Sequence, residues 1–254
     1  MTRQAGLLLL GLAACAGPKG KTATAAPHEN PFLAASPLQY QAPPFDRITD
    51  GDYQPAIDEG IRQNLAEMDA IARQDSAPSF ANTIEAMERS GLLLTRVAKV
   101  FFAIVQANTD DTLQKVQADV APKLAAFRDS IYLDPRLFRR VKALYDQREQ
   151  LGLDAEQKFL VGKYYRDFVR AGAQLTDADK ARLRELNKEE STLSTDFQNK
   201  LLNATNAAAL VVEHRADLAG LSDGDVATAA EEAKSRKLEG KWVLALRNTT
   251  QQPL

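Results

Sequence analysis

The stretch that most constrains the fold runs from Asn82 to Val105, NTIEAMERSGLLLTRVAKVFFAIV. Asn82 followed by Glu85 has the spacing of a capping box, in which each side chain satisfies a free backbone N–H of the first helical turn. Gly91 then stops or bends that helix, because glycine enters the left-handed cap conformation without steric cost. In the helix that follows, Leu93, Val97, Val100 and Ile104 form one apolar stripe at helical spacing. Leu94, Ala98, Phe101 and Val105 form a second beside it, and Phe102 widens it. A helix apolar over most of its circumference needs neighbours on several sides. Each large side chain buried contributes roughly 1.5–3 kcal/mol against about 1 kcal/mol for a cap, so this segment reads as the core helix of a helical domain.

The rest of the chain repeats that grammar. Asp52 has the position of a cap for a helix from Tyr53 to about Arg73, with Pro55 in its first turn and Ile57, Ile61, Leu65, Met68 and Ile71 as its apolar positions. Another runs from about Asp110 to Tyr132 with Leu113, Val116, Val120, Leu124, Phe127 and Ile131 on one face, and Pro122 should kink or split it. Asp134-Pro135 starts a helix using Phe138, Val141, Leu144 and Tyr145 and ending near Gly152. Asp154 and Gln157 begin one that buries Phe159, Leu160, Tyr164 and Phe168 and stops by Gly172. Thr176 with Asp179 opens the longest, to about Ala204, with the stripe Leu183, Leu186, Leu193, Phe197 and Leu201 interrupted by Glu190. Near the end, Leu210-Val211-Val212 and Lys241–Leu246 read as strands on either side of a helix from Asp223 to Lys237 opened by Ser222 and Asp225. The fold class is therefore mainly α, a multi-helix domain with a small two-strand element near the C-terminus. No repeat of solenoid length is visible.

The N-terminus has a different character. Residues 1–15, MTRQAGLLLLGLAAC, place an apolar run behind Arg3. At 1.5 Å per residue that run reaches only about half of a ~30 Å hydrocarbon core, too short for a spanning helix and suited to a secretory signal. It ends Leu12-Ala13-Ala14-Cys15, a pattern that resembles the lipobox of bacterial lipoproteins, with Cys15, the sole cysteine of the chain, as the lipid attachment site. A lipoprotein with more than one acyl chain is stably anchored, at ~0.8 kcal/mol per buried CH2. The expectation is an envelope protein held on a membrane and facing the periplasm or the exterior. Residues 16–29 read as a flexible tether in which His28 is solvated. Residues 30–47 carry Pro31, Pro37, Pro43 and Pro44 and read as an extended arm laid over the domain by Phe32, Leu33, Leu38, Tyr40 and Phe45. Residues 48–254 form the helical region.

The chemistry-bearing residues are sparse. Of 254 residues 44% are hydrophobic and 26% charged, and the formal net charge of −2 offers no basic face for nucleic acid. A single cysteine excludes an intrachain disulfide and a thiolate metal cluster. Charge pairs such as Glu189-Glu190 and Asp110-Asp111 are adjacent, so they point about 100° apart on a helix and read as solvated faces. The two histidines, His28 and His214, lie far apart, and neither stands in the His-Glu-x-x-His pattern that a zinc peptidase needs. His214 reads as a loop or surface residue. There is no Gly-rich phosphate loop and no Gly-x-Ser-x-Gly elbow. The residues themselves lead to a tethered helical domain and to no catalytic or metal site.

Several segments carry a resemblance. NPFL at Asn30–Leu33, AIDEGI at Ala56–Ile61, NTIEAMERSG, LLTRVAKVFFA, LGLD at Leu151–Asp154, AGAQL at Ala171–Leu175, ADKARLRELN at Ala178–Asn187, LVV at Leu210–Val212, LAGLSD at Leu218–Asp223, KWVLAL and NTTQQP at Asn248–Pro253 stand in one order over nearly the whole chain beyond the tether. In that order they resemble the N-terminal part of the bacterial peptidyl-dipeptidases of Dcp type, in the thimet oligopeptidase/neurolysin family of zinc metallopeptidases. The resemblance implies a zinc enzyme that releases dipeptides from the C-terminus of short peptides, deep in a channel between two largely helical halves. In that family a His-Glu-x-x-His helix and a later glutamate hold the zinc, and the N-terminal region builds one channel wall. None of those catalytic residues maps onto this chain, so the chain by itself is expected to be inactive. Leu254 comes soon after the KWVLAL strand, which suggests a truncated form. The Asn248–Pro253 tail reads as a strand-exit turn or as a channel lining. The alternative is a non-catalytic helical lipoprotein that binds peptides or serves as a scaffold.

Overall fold

The computed structural model describes residues 28–246. The signal and lipobox with Cys15, most of the tether and the Asn248–Pro253 tail lie outside the described residues. Among the described residues, seven of the eight α-helices precede the small sheet: α1 Asp50–Ala72, a π-helical segment Phe80–Glu85 running into the single turn α2 Ala86–Glu88, α3 Leu92–Ala107, α4 Asp111–Tyr132, α5 Pro135–Gln147, α6 Ala155–Arg170 and α7 Asp177–Ala207. The strands β1 Leu210–Val212 and β2 Trp242–Leu244 flank α8 Asp223–Ser235. They pair antiparallel, with Val211 opposite Val243. The mainly helical class and the two-strand element expected from sequence are both present.

Local signals set most helix starts. Asp110, Asp134, Asp154, Thr176 and Ser222 each accept a backbone N–H of the first turn. Two starts differ from the sequence reading. Thr49, not Asp52, is the N-cap of α1, and Asp52 sits at the third helical position, where its Oδ2 accepts from Thr49 N at 2.7 Å and Thr49 Oγ1 at 2.8 Å. Ser79, not Asn82, caps the π-helical segment, with Asn82 returning the bond to Ser79 N. In both cases an extended hydroxyl residue three positions upstream was available, and an acceptor at the third position completes the reciprocal pair.

The core forms around α1 and α4, which run through two apolar clusters. In the first, Phe32, Ile57, Leu94, Val97, Phe101, Leu113 and Val120 are buried together. The rings of Phe32, Tyr53 and Phe101 follow one another at 5.4 and 5.2 Å. At Gly60 a Cβ would lie 2.8 Å from the Leu94 Cα, so a glycine here lets α3 come against the α1 backbone. Gly91, with φ of 70°, supplies the left-handed turn expected between the two halves of the hairpin. That turn also breaks Phe80–Ala107, which by length and apolarity alone would match a membrane-spanning stretch. The second cluster joins Met68, Ile71, Ile84, Ile131, Leu137, Val141, Val161 and Phe168 from the far ends of α1 and α4, from the π-helical segment and from α5 and α6. Arg140 is buried in this part of the molecule without a carboxylate. It donates to Gln74 O, Ser76 O, Asn82 Oδ1 and Thr83 Oγ1, so carbonyl and hydroxyl oxygens satisfy its fork.

Other expectations change in the tertiary structure. Pro122 does not split α4, which is one continuous helix packed against α1, α3 and α7. Helix α5 stops at Gln147, well before Gly152. Phe159 is exposed, and Val161 takes the buried place on α6. Within the arm Phe32 and Pro44 are buried, while Leu33, Leu38, Tyr40 and Phe45 face solvent. His28 is not simply solvated: its Nε2 lies 2.7 Å from Asp52 Oδ1. With Asn30 Nδ2 donating to Asp52 O and Arg96 Nη2 to Phe32 O, polar bonds fasten the arm where apolar contacts were expected. The largest change concerns α7. Leu186, Leu193, Phe197 and Leu201 point outward, and the residues it buries are Lys180 and Thr195.

Candidate functional surface

Because α7 turns a mostly polar face inward, polar clefts form along it, the first with α3 and α4 and the second with α4 and α6. The larger, roughly 470 Å3, is lined by Phe102, Gln106, Gln117, Thr195, Gln198 and Asn199 among others. Carboxamides and hydroxyls dominate it, and no charged side chain lines it. A carboxamide carries both a donor and an acceptor, as a peptide bond does. The second cleft, about 310 Å3, lies among α4, α6 and α7 and is lined by Arg128, Asp129, Arg170, Leu183, Asn187 and Glu190 among others.

Asp129 is the buried acid of that second cleft, and its Oδ1 accepts from Asn187 Nδ2 at 2.7 Å. Burial raises its pKa above the usual carboxylate value, and the Asn187 bond with the nearby Arg184 and Arg128 charges offsets only part of that effect. Asp52 is the counterpart at the start of α1. Burial pushes it up as well, but the bonds from Thr49 and His28 outweigh that and hold it below the usual range. Glu88, exposed to water, accepts the Tyr164 hydroxyl, and burial of Tyr164 together with that acid raises the phenol far above its ordinary value.

These groups do not assemble into a catalytic constellation. At Asp52 the Thr49 hydroxyl gives its proton to the carboxylate and not to the His28 imidazole, so the three side chains form a helix cap and not a nucleophile with a base. His214 is exposed at the strand exit. Among the described residues no group of three His, Cys, Asp or Glu side chains is placed to hold a metal ion. Cys15 lies outside the described residues. Sequence reasoning passed over Asp129, Asn187 and Arg140. Arg140 did leave a signal, since it shares the helical face of Leu137, Val141 and Leu144, where a charge is out of place. Asn187 left none, because its neighbour Leu186 looks like the inward residue.

No family model matches the chain. Dipeptidyl carboxypeptidase of Salmonella typhimurium is 49% identical to it over 224 residues, covering 88% of this chain and 33% of that protein. The dipeptidyl carboxypeptidase of Escherichia coli gives the same identity and coverage. Oligopeptidase A of Escherichia coli is 22% identical over 211 residues, covering 83% of this chain and 30% of that protein. The chain thus spans about a third of the length of the curated relatives it matches.

Proposed function

We propose that this chain is the N-terminal, channel-wall region of a peptidase of the dipeptidyl carboxypeptidase kind, which in its whole form releases dipeptides from the C-terminus of short peptides. The observation that carries this reading is the 49% identity over 88% of the chain to relatives of that name. A wall of packed helices suits the role, because a narrow channel admits extended peptides and excludes folded proteins. The zinc expected of such an enzyme does not fit the described residues, which bring no three ligands together. The chemistry therefore belongs to parts of the relatives that this chain does not match, and this chain shapes access and binding. The test replaces the matched segment of the Escherichia coli relative by residues 28–246 of this chain. The chimaera should release dipeptides from a short peptide, whereas the chain alone with added zinc should release none. A folded chimaera without activity, or zinc-dependent hydrolysis by the chain alone, would overturn the assignment.

A second reading rests on the uncharged cleft of Gln106, Gln117, Gln198 and Asn199, whose groups match peptide main chain. In it the chain is a non-catalytic peptide-binding or scaffold protein. Binding of a capped neutral tripeptide by the isolated chain would support it, and no binding at millimolar peptide would remove it. In either reading Cys15 carries the lipid that holds the protein on the cell-envelope membrane. Cys15→Ser should move the protein from the membrane to the soluble fraction, and unchanged membrane association would refute that anchor.

A further inference from the structure

The cleft among α4, α6 and α7 brings opposite charges together without pairing them. Its walls carry two guanidiniums, Arg128 and Arg170, and two carboxylates, Asp129 and Glu190. Among the described residues none of these four forms an ion pair with another, whereas Lys115–Asp119 on α4 and Lys163–Asp167 on α6 each close to 2.6 Å. Arg128 lies over the Tyr132 ring instead, 5.6 Å from its centroid. The fold sets this arrangement. Leu183, Asn187 and Glu190, spaced 4 and 3 residues apart, share one face of α7. At Gly172, just past α6, φ is 99° and a Cβ would lie 2.8 Å from Leu183 Cδ2, so glycine lets α7 close against the end of α6 that carries Arg170. Asp129 is only 6% exposed, and its Oδ1 is taken by Asn187. Its Oδ2 has no protein donor among the described residues and is not sealed inside the protein. A largely desolvated acceptor left open in a cleft is where a ligand's donor gains most, because water competes for it least.

We infer that this cleft is a binding site for a small zwitterion, a free amino acid or a dipeptide, whose ammonium lies against Asp129 and Glu190 and whose carboxylate lies against Arg128 and Arg170. A simple anion would meet both carboxylates. A simple cation would meet Arg128, Arg170 and the nearby Arg184. An ion of one sign is therefore opposed by part of the charged lining, and a molecule with both charges is not. The ammonium supplies the donor that Asp129 Oδ2 lacks, and the arginine forks match a carboxylate. Size sets the class of ligand. The cleft holds about 310 Å3, the lower end for small-molecule sites, and a residue spans at most about 3.6 Å of extended chain, so one or two residues fit. Ala125 and Leu183 offer apolar surface for one short side chain. The inference goes beyond the peptidase reading and does not rest on it, since every residue of the cleft belongs to this chain.

The test titrates the whole chain with L-leucine and with glycyl-L-leucine by isothermal titration calorimetry near neutral pH. Saturable binding at one site is expected, and the tighter of the two ligands tells an amino-acid site from a dipeptide site. N-acetylation removes the ammonium and amidation removes the carboxylate. Each should weaken binding at least about 10-fold, the worth of a charge-assisted hydrogen bond. Asp129→Asn and Arg170→Gln should weaken it by as much. Arg170 is exposed, so its variant keeps the fold whatever Asp129→Asn does, and the unfolding midpoint without ligand checks both. Saturating ligand should raise that midpoint in the unaltered chain and leave it unmoved in the folded variants. No saturation up to about 10 mM ligand, equal affinity for the blocked forms, or undiminished binding by the folded variants would each overturn the inference.

Discussion

Helix α4 has two large neighbours, and its two interfaces are built on opposite principles. Toward α1 and α3 it contributes Leu113, Val116 and Val120 to an apolar cluster completed by Ile57, Val97 and Phe101, several of them fully buried. Toward α7 it offers Asp129, which takes a hydrogen bond from Asn187, and it borders a cleft lined by carboxamides. The first interface draws its stability from area removed from water, at roughly 25 cal/mol per Å2. The second carries one side-chain hydrogen bond, from Asn187 to Asp129, and a single such bond adds only about 0.5–1.5 kcal/mol net. The comparison shows that an apolar stripe identifies a helix face that needs a neighbour without identifying which neighbour. For α3 the neighbour is in the described fold. For α7 the apolar face is left open.

The largest test of that contrast replaces one phenylalanine on each side. Phe101→Ala should cost about 3–5 kcal/mol in urea unfolding, because a fully buried ring leaves a cavity. Phe197→Ala should stay within about 0.5 kcal/mol, as an exposed site does. Equal costs would mean that α7 already buries its outer face, and the contrast would be broken.

The two buried carboxylates sharpen it further, with opposite signs. The pKa of Asp52 is lowered in the folded chain, so its contribution to stability is present above the unfolded value of about 3.9 and is lost as pH falls through the folded value. Asp52→Asn should therefore cost about 1 kcal/mol at pH 7, the worth of a cap bond, and the loss should fade in acid. Asp129 is raised, so stability declines as pH rises from about 3.9 through its folded value, and the penalty is complete above it. Asp129→Asn keeps an acceptor for Asn187 and should raise the midpoint of thermal unfolding at pH 7, with the gain vanishing below about pH 4. The same sign for both variants would show that burial does not govern Asp129.

How much of this was legible follows from the range of each interaction. The caps Asp134, Asp154, Thr176 and Ser222 and the break at Gly91 were readable because their partners lie within three residues. At Thr49 and Ser79 the same local chemistry was present, but two candidate cap residues competed and backbone geometry chose the upstream hydroxyl. In the arm, proline spacing conveyed an extended path, whereas the fastening by His28 and Asn30 to Asp52 joins residues more than twenty positions apart and has no local signature. The polar clefts were invisible for the same reason, since Asp129 and Asn187 meet only when α4 and α7 pack.

By itself the sequence determined that the chain is mainly helical, where most helices begin, and which helix faces are apolar, because periodicity and capping act within a few residues along one chain. Only the tertiary structure decided which neighbour each face receives. That choice turned Phe101 inward and Phe197 outward although both lie on apolar stripes at helical spacing, because burial depends on what stands opposite a side chain, and a helix carries no record of that along its own length.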